Sequence, residues 1–182
     1  WIGIDAAGTG TLGNSGDGVY ISSGADGTNV GGSTAAEGNW IAAALEGVEV
    51  DGPTAGTNIR NNRIGTDVAG TANWGMQANG ILIENSLGGA GPTNIYISSN
   101  TVAFSGQSSA YDAGIAVLGT GGANISISAN SIYSNVGMGI DLGVAGVTAN
   151  DAGDADTGPN QLQNFPVLTL ARTNGSDTLT GG

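Results

Sequence analysis

The sequence predicts an all-β protein whose chain winds as a solenoid, each turn laying short strands on the matching strands of the turn before. Three observations predict this fold class: one phrase recurs along the chain, β-branched residues occupy its alternate positions, and glycine or asparagine stands at its ends. Residues 94–102, NIYISSNTV, and residues 124–132, NISISANSI, are nearly the same phrase. Repetition at intervals of this size is typical of architectures that stack one unit on the next.

Two motifs define the repeat. The first, Gly-[Ile/Val]-x-[Ile/Val/Leu], has five copies separated by 29, 33, 34 and 25 residues, at positions 18–21, 47–50, 80–83, 114–117 and 139–142. The second, [Ile/Val]-x-x-Asn-x-[Ile/Val], occurs at 59–64, 97–102 and 127–132, with a looser copy running from Val30 to Ile41. Alternating Ile and Val indicate strands with one buried face. Each strand is too short to be stable alone.

Coiling the chain resolves this difficulty, because each strand then lies on its copy about 4.8 Å away. Inward Ile and Val should form aliphatic columns, and four asparagines should stack as a hydrogen-bonded ladder at a corner: Asn39, Asn62, Asn100 and Asn130. Outward side chains should form columns too, one of Tyr20, Glu49, Leu82, Ala116 and Asp141, another of Trp40, Arg63, Thr101 and Ser131. Insertions at 65–75 and 106–113 should be loops on the sides.

The two ends of the chain depart from this regular pattern. Residues 2–9 resemble residues 64–71, so the chain enters within a coil. It starts at Trp1 with no signal peptide, which indicates a mature form or a piece of a longer protein. Residues 150–168 are interpreted as a segment that closes the last coil with a strand. We therefore predict one domain over 1–171, followed by a polar, Gly-rich linker stub over 172–182.

The composition excludes several classes of function. The net charge is -12, only 10% of residues are charged, and Lys, His and Cys are absent. A chain this acidic lacks the basic patch that nucleic acid needs, and an anionic membrane repels it. Without Cys or His, a zinc or other transition-metal site is disfavoured. No apolar run reaches the roughly 18 residues of a membrane-spanning helix.

The recurring Asn-x-Ile and Gly-Ile-x-Ile units resemble right-handed parallel β-helix repeat proteins of the pectate-lyase-like superfamily. The stretch IGTDVAGT at 64–71 and the closing stretch NDAGDADTGPNQLQNFPVL at 150–168 resemble segments of large bacterial secreted and surface proteins. The resemblance covers about residues 1–171 and implies a right-handed parallel β-helix of about five coils. It implies no single function, because the superfamily includes polysaccharide lyases, hydrolases, epimerases, phage tailspikes, adhesins and passive stalks.

The acidic turn within the closing segment is the best local motif for a metal ion. Asp154, Asp156 and Asn160, together with Asp151, place oxygen ligands at intervals that suit calcium. The match to an EF-hand loop is partial, since Gly158 stands where a ligand is expected. Calcium is therefore a candidate ligand, although no cofactor is required. The competing interpretation is a solvated turn rich in Asp and Asn.

Glu49 and Asp51 are the candidate catalytic carboxylates. They lie at i and i+2 of one strand, so they share a face at roughly 6.5–7 Å, a separation in the range of inverting glycosidases. We favour the alternative that they lie on a solvated outer face. A lyase would need a basic residue, and Arg60 and Arg63 are the candidates on a coil. For those two, surface ion pairing is the competing interpretation.

Aromatic side chains suggest where a sugar could bind. Trp40, Arg63 and Trp74 are the candidate substrate-binding residues, since Trp74 lies in the insertion that follows Arg63. Scattered apolar residues on a surface are nevertheless normal. The leading expectation is a structural or adhesive module of an extracellular or cell-surface bacterial protein, self-assembling end to end or laterally, or joined to flanking domains. The alternative is a module that binds or degrades polysaccharide, a lyase or a hydrolase.

Overall fold

The computed structural model describes residues 1–22, 24–109, 111–119, 122–173 and 178–181, with side chains as far as residue 170. In chain order the strands are β1 (Val19–Ile21), β2 (Asn29–Gly31), β3 (Trp40–Ile41), β4 (Val48–Asp51), β5 (Asn58–Arg60), β6 (Arg63–Ile64), β7 (Ile81–Glu84), β8 (Thr93–Ser98), β9 (Thr101–Ala103), β10 (Ile115–Leu118), β11 (Ala123–Ser128), β12 (Ser131–Tyr133), β13 (Ile140–Gly143), β14 (Leu170–Thr173) and β15 (Thr178–Gly181). Two short 3₁₀ helices span Ala35–Glu37 and Pro159–Leu162.

Strands β1 to β13 form three parallel sheets, each built from every third strand. The first sheet has the order β1-β4-β7-β10-β13, the second β11-β8-β5-β2 and the third β12-β9-β6-β3. Four coils thus contribute one strand to each sheet, and a fifth begins with β13. This arrangement confirms the predicted parallel β-solenoid.

The register of the strands matches the sequence repeat. In the first sheet, Tyr20 pairs with Glu49, Glu49 with Leu82, Leu82 with Ala116, and Ala116 with Asp141. The five copies of the first motif therefore lie directly above one another. Their Ile and Val side chains join those of the other two sheets in one continuous buried cluster, which includes Ile41, Ile64, Ile83 and Ile97. Burial of these alternate aliphatic side chains supplies the main driving force for stacking the coils.

The predicted asparagine ladder is confirmed at the corner between the second and third sheets. Asn39 donates its side-chain amide to Asn62 Oδ1 at 3.1 Å. Asn62 donates to Asn100 Oδ1 at 3.0 Å, and Asn100 donates to Asn130 Oδ1 at 3.0 Å. Each acceptor oxygen also receives the backbone N–H of the asparagine one coil earlier. The ladder therefore satisfies backbone donors that the turn removes from the sheets.

The predicted likeness between residues 2–9 and 64–71 holds in three dimensions. Asp5 Oδ1 accepts the Thr9 N–H at 2.9 Å, and Asp67 Oδ1 accepts the Thr71 N–H at 2.8 Å. Ile2 forms a parallel bridge with Ile41, which places the start of the chain beneath the third sheet.

The closing segment covers the last coil, but not with a strand as predicted. The 3₁₀ helix Pro159–Leu162 contacts β11 and β13. Asn160 Oδ1 accepts the Ile125 N–H at 2.9 Å, and Asn160 Nδ2 donates to the Ile125 carbonyl at 2.6 Å. A side-chain amide here satisfies backbone groups of β11 that a further strand would otherwise satisfy. Beyond it, β14 and β15 pair antiparallel; β14 begins two residues before the predicted linker stub, and β15 lies within it.

Candidate functional site

Five carboxyl groups lie close together along the first three strands of the first sheet and the turns that lead into them. We call this set the acidic face; it consists of Asp17, Glu46, Glu49, Asp51 and Glu84. Asp17 and Glu46 stand immediately before the glycines that lead into β1 and β4. Glu49 and Asp51 alternate with buried valines on β4, and Glu84 pairs in register with Asp51. The repeat therefore gathers residues from three coils onto one surface.

Glu49, Asp51 and Glu84 each offer one carboxylate oxygen within 4.8 Å of the other two. Strand spacing sets Glu49 and Asp51 roughly 6.5–7 Å apart along β4, and their side chains turn so that one oxygen of each approaches the other more closely than this. Within the described residues, this is the one set of three acidic side chains whose oxygens converge closely enough to consider a metal ion.

Asp51 has little capacity left for a metal ion or a substrate. Its Oδ1 accepts the Ser86 and Leu87 N–H groups at 2.8 and 3.4 Å. Its Oδ2 accepts hydrogen bonds from the Ser86 hydroxyl and, at 3.2 Å, from the Tyr20 hydroxyl. Burial alone would raise the pKa of Asp51, but these hydrogen bonds outweigh it and lower the pKa. Asp51 is only 1% exposed, so the expectation of a solvated outer face is wrong for this residue.

Glu49 differs from Asp51 in its electrostatic environment. Loss of solvent, the nearby Asp17 carboxylate and a side-chain hydrogen bond with Asp17 raise the pKa of Glu49 to about 8. Glu84 and Glu46 add further repulsion. Burial also raises the pKa of Glu46 to about 7, even though Asn79 donates hydrogen bonds to it. At neutral pH the acidic face therefore retains protons that isolated carboxyls would have lost.

The hydrogen bonds of Asp51 weigh against both acid–base catalysis and metal binding at the acidic face. A carboxyl group with a raised pKa beside one with a lowered pKa resembles the acid and base of a hydrolase. The base, however, would be Asp51, whose two oxygens are already engaged by Ser86, Leu87 and Tyr20. A cation would meet the same obstacle at Asp51. We therefore assign neither a catalytic pair nor a metal site to the acidic face.

Asp141 is too remote to complete this cluster, as the repeat predicts. It lies three rows from Glu49 in the same outward column. Its side chain is buried, with Oδ2 accepting the Gly146 N–H at 3.0 Å and Oδ1 without a partner. Burial raises the pKa of Asp141.

The candidate basic residues lie on other sheets. Arg60 is in β5 of the second sheet and Arg63 is in β6 of the third, so neither shares a sheet with the acidic face. Arg63 Nη1 donates to the Val68 carbonyl at 3.1 Å, which ties the side chain to its own insertion loop. The structure thus does not combine either arginine with Glu49 and Asp51 in one site on a sheet.

The candidate aromatic residues are partly brought together. Trp40 pairs in register with Arg63, and the Trp1 ring stacks on the Trp40 ring at 5.4 Å between centroids. Trp1 is 58% exposed. The Ala43 N–H donates to the Trp74 carbonyl at 2.9 Å, and this backbone hydrogen bond links Trp74 to the preceding coil.

The acidic turn is organised by its own hydrogen bonds. Asp151 Oδ2 accepts the Ala155 N–H, and Asp154 Oδ1 accepts the Asn164 N–H at 2.8 Å. Asn160 is committed to Ile125, as described above. Asp151, Asp154 and Asp156 do not form a converging set of three carboxylates among the residues described. Calcium binding at this turn stays a prediction.

Sequence reasoning missed three members of the acidic face: Asp17, Glu46 and Glu84. The signal was available, because Glu84 occupies the same repeat position as Asp51, one coil later.

Comparisons with protein-family models, with curated proteins and with solved structures find no match to this chain. In the described part of the structure, no helix has the length and apolar character needed to cross a membrane.

Proposed function

We propose that this chain is a structural module of an extracellular or cell-surface bacterial protein. The observation that carries the proposal is the uninterrupted stacking of coils, in which three parallel ladders enclose one aliphatic core. Repeating nearest-neighbour contacts of this kind make a stiff rod whose stability grows with each coil. The state of Asp51 supports the same proposal, because its oxygens hold the structure together rather than face a substrate.

Self-association is part of this proposal. We expect the chain to associate through its sides, because the C-terminal coil is already covered. The 3₁₀ helix Pro159–Leu162 already packs on β11 and β13 there, so a second molecule would have to displace it to stack end to end. The second sheet offers a side surface of polar residues in register around one tyrosine, with Asn58 beside Tyr96 and Tyr96 beside Ser126. Tyr96 is 47% exposed and could anchor such a contact.

We expect the purified chain to form larger species as its concentration rises, because a fibre module buries its side surfaces against copies of itself. Sedimentation velocity over a hundredfold range of concentration measures this, with negative-stain microscopy to distinguish rods from amorphous aggregate. Tyr96→Ser should shift the association to higher concentration, and Tyr111→Ser, a change at an exposed loop tyrosine, serves as the matched control. A wild-type chain that stays monomeric throughout would remove self-assembly from the proposal.

A module that binds polysaccharide is the second candidate, and the Trp1, Trp40 and Arg63 group favours it. The exposed Trp1 ring, stacked on the half-buried Trp40 ring beside the Arg63 guanidinium, is a suitable surface for an acidic sugar. We expect no turnover when the chain is incubated with neutral and acidic polysaccharides, with calcium and with chelator, while reducing ends and unsaturated uronide absorbance are followed. Turnover that Glu49→Gln or Arg63→Ala abolishes would overthrow the structural proposal. Binding without turnover that Arg63→Ala weakens would support the second candidate.

A further inference from the structure

Strand β13 is the end strand of the first sheet, and a cavity of about 430 Å³ lies between it and the closing segment. Its walls are mostly apolar and include Ile140 and Leu142 of β13 and Phe165 and Pro166 of the closing segment. A space of this size is within the range of ligand-binding cavities. The closing segment thus covers the last coil without filling the space beside β13.

Ile140 lacks the cover that the same repeat position has in earlier coils. The residues at this position one, two and three coils earlier are fully buried, namely Ile115, Ile81 and Val48. Ile140, by contrast, is 43% exposed, and so is 48% of Phe165 on the cavity wall. A further strand on β13 would bury this apolar surface, which is favourable.

The backbone of β13 presents hydrogen-bonding groups in the register that the repeat uses. In four coils, the N–H of the first Ile or Val of the motif donates to the motif's Gly carbonyl one coil later, at 2.9 to 3.1 Å: Val19 to Gly47, Val48 to Gly80, Ile81 to Gly114 and Ile115 to Gly139. Ile140 continues this series, but the described residues contain no further strand on β13 to accept its N–H. Alternation turns the Leu142 carbonyl to the same edge, where the Thr148 hydroxyl donates to it at 3.3 Å.

We propose that β13 captures an extended segment of a partner protein, which enters the cavity and adds to the first sheet as a parallel strand. The segment reads Gly-[Ile/Val]-x-[Ile/Val], the sequence that every earlier strand of this sheet receives from the next coil. Its Gly carbonyl accepts the Ile140 N–H, and its two apolar side chains lie over Ile140 and Leu142. One strand suffices, so the closing segment stays in place.

Charge at position x favours a partner protein over a second copy of this chain. Position x lies over Asp141, which lines the cavity and whose Oδ1 has no hydrogen-bond partner among the described residues. Burial raises the pKa of Asp141, and a neighbouring cation favours its ionised form. Like charges on adjacent strands are destabilising, whereas opposite charges are stabilising. The segment therefore carries Lys or Arg at x, which none of the five copies in this chain does: Tyr20, Glu49, Leu82, Ala116 and Asp141.

The test titrates the full chain with a fluorescent blocked peptide, Ser-Gly-Ile-Lys-Ile-Thr, and follows anisotropy. We expect saturable binding, and a peptide with Glu in place of Lys should bind roughly tenfold more weakly. Methylation of the Lys backbone nitrogen removes one strand hydrogen bond and no side chain, and should also weaken binding roughly tenfold. No saturable binding up to about 1 mM peptide, or equal binding of the methylated peptide, would overturn the proposal.

Variants of the chain assign the binding to β13. Ile140→Pro removes the N–H at the open edge, a position where a sheet tolerates proline, and should weaken binding roughly tenfold. Phe165→Ser changes only a half-exposed cavity wall, so it tests the site even if the proline variant does not fold. Asp141→Asn should abolish the preference for Lys over Glu, whereas Asp26→Asn, an exposed residue of the first coil, should retain it.

Hydrogen exchange locates the bound peptide. The amides of Ile140 and Leu142 should exchange roughly tenfold more slowly with peptide bound, while those of β2 should not change. Protection centred on β12, the end strand of the third sheet, would place the peptide elsewhere and contradict the proposal. Wild-type affinity in Phe165→Ser, or an equal loss of preference in Asp141→Asn and Asp26→Asn, would contradict it as well.

Discussion

Replacing Asn100 with alanine is expected to lower the free energy of unfolding by roughly 3–5 kcal/mol, because it leaves several buried polar groups without partners. Asn100 Oδ1 accepts both the backbone and the side-chain N–H of Asn62, at 2.9 and 3.0 Å. Asn100 Nδ2 donates to the Ile59 carbonyl at 2.8 Å and to Asn130 Oδ1 at 3.0 Å. Asn62 and Asn100 are each 1% exposed, so water cannot replace these bonds without opening the corner.

Asn39→Ala is the matched control, because Asn39 begins the same ladder. Its side-chain amide donates one described hydrogen bond, to Asn62 Oδ1, and the backbone N–H of residue 39 would keep its own bond to that oxygen. The control should lose about 1 kcal/mol. Urea denaturation of both variants measures the difference, with the slope checked for a change in cooperativity. Equal losses in the two variants would show that the ladder is not the source of stability at this corner.

The ladder was predictable from the sequence, and so was the register of the first sheet. Both follow from short-range rules: apolar alternation fixes which side chains point inward, and repetition fixes which residues lie above one another. The column from Tyr20 to Asp141 needs no information beyond these two rules. Stacked positions in a solenoid are set by the local repeat, so the strand register of this fold class can be predicted from the sequence.

The burial of the outward side chains was not predictable in this way. Leu82, Ala116 and Asp141 occupy outward positions, yet all are buried. Alternation gives the direction of a side chain, whereas its exposure depends on loops and segments that lie over the sheet. The closing segment shows a similar limit. A helical turn and one asparagine, Asn160, satisfy the last coil where large apolar residues suggested a strand.

The acidic face also depends on relations that a single motif does not show. The pair Glu49 and Asp51 was visible in the sequence, but its chemistry comes from Asp17 one coil before and Glu84 one coil after. Two adjacent carboxyls acquire opposite pKa shifts because Ser86 and Leu87 donate to Asp51, while Asp17 and burial act on Glu49. Hydrogen bonds from a loop cannot be derived from strand periodicity.

Gly65→Ala is expected to lower the free energy of unfolding by about 3–5 kcal/mol, since it combines backbone strain with a steric overlap. Gly65 has a φ of +84°, and a Cβ at this position would lie 1.9 Å from the Ala103 carbonyl oxygen of the next coil. The clash recurs at Gly3, the matching position of the first repeat, where a Cβ would lie 2.0 Å from the Ala42 carbonyl oxygen. The coils approach each other here too closely for any side chain.

Gly89→Ala separates the two causes, because Gly89 has the same φ of +84° but no atom within 4 Å of the position of a Cβ. Only the backbone strain applies there, at about 1 kcal/mol. Thermal and urea denaturation of the two variants, side by side, measure the contribution of close coil packing as the difference between them. If Gly65→Ala were no more damaging than Gly89→Ala, the coils would have room to separate locally. The stacking that defines this solenoid would then be looser at the IGTD turn than its backbone contacts require.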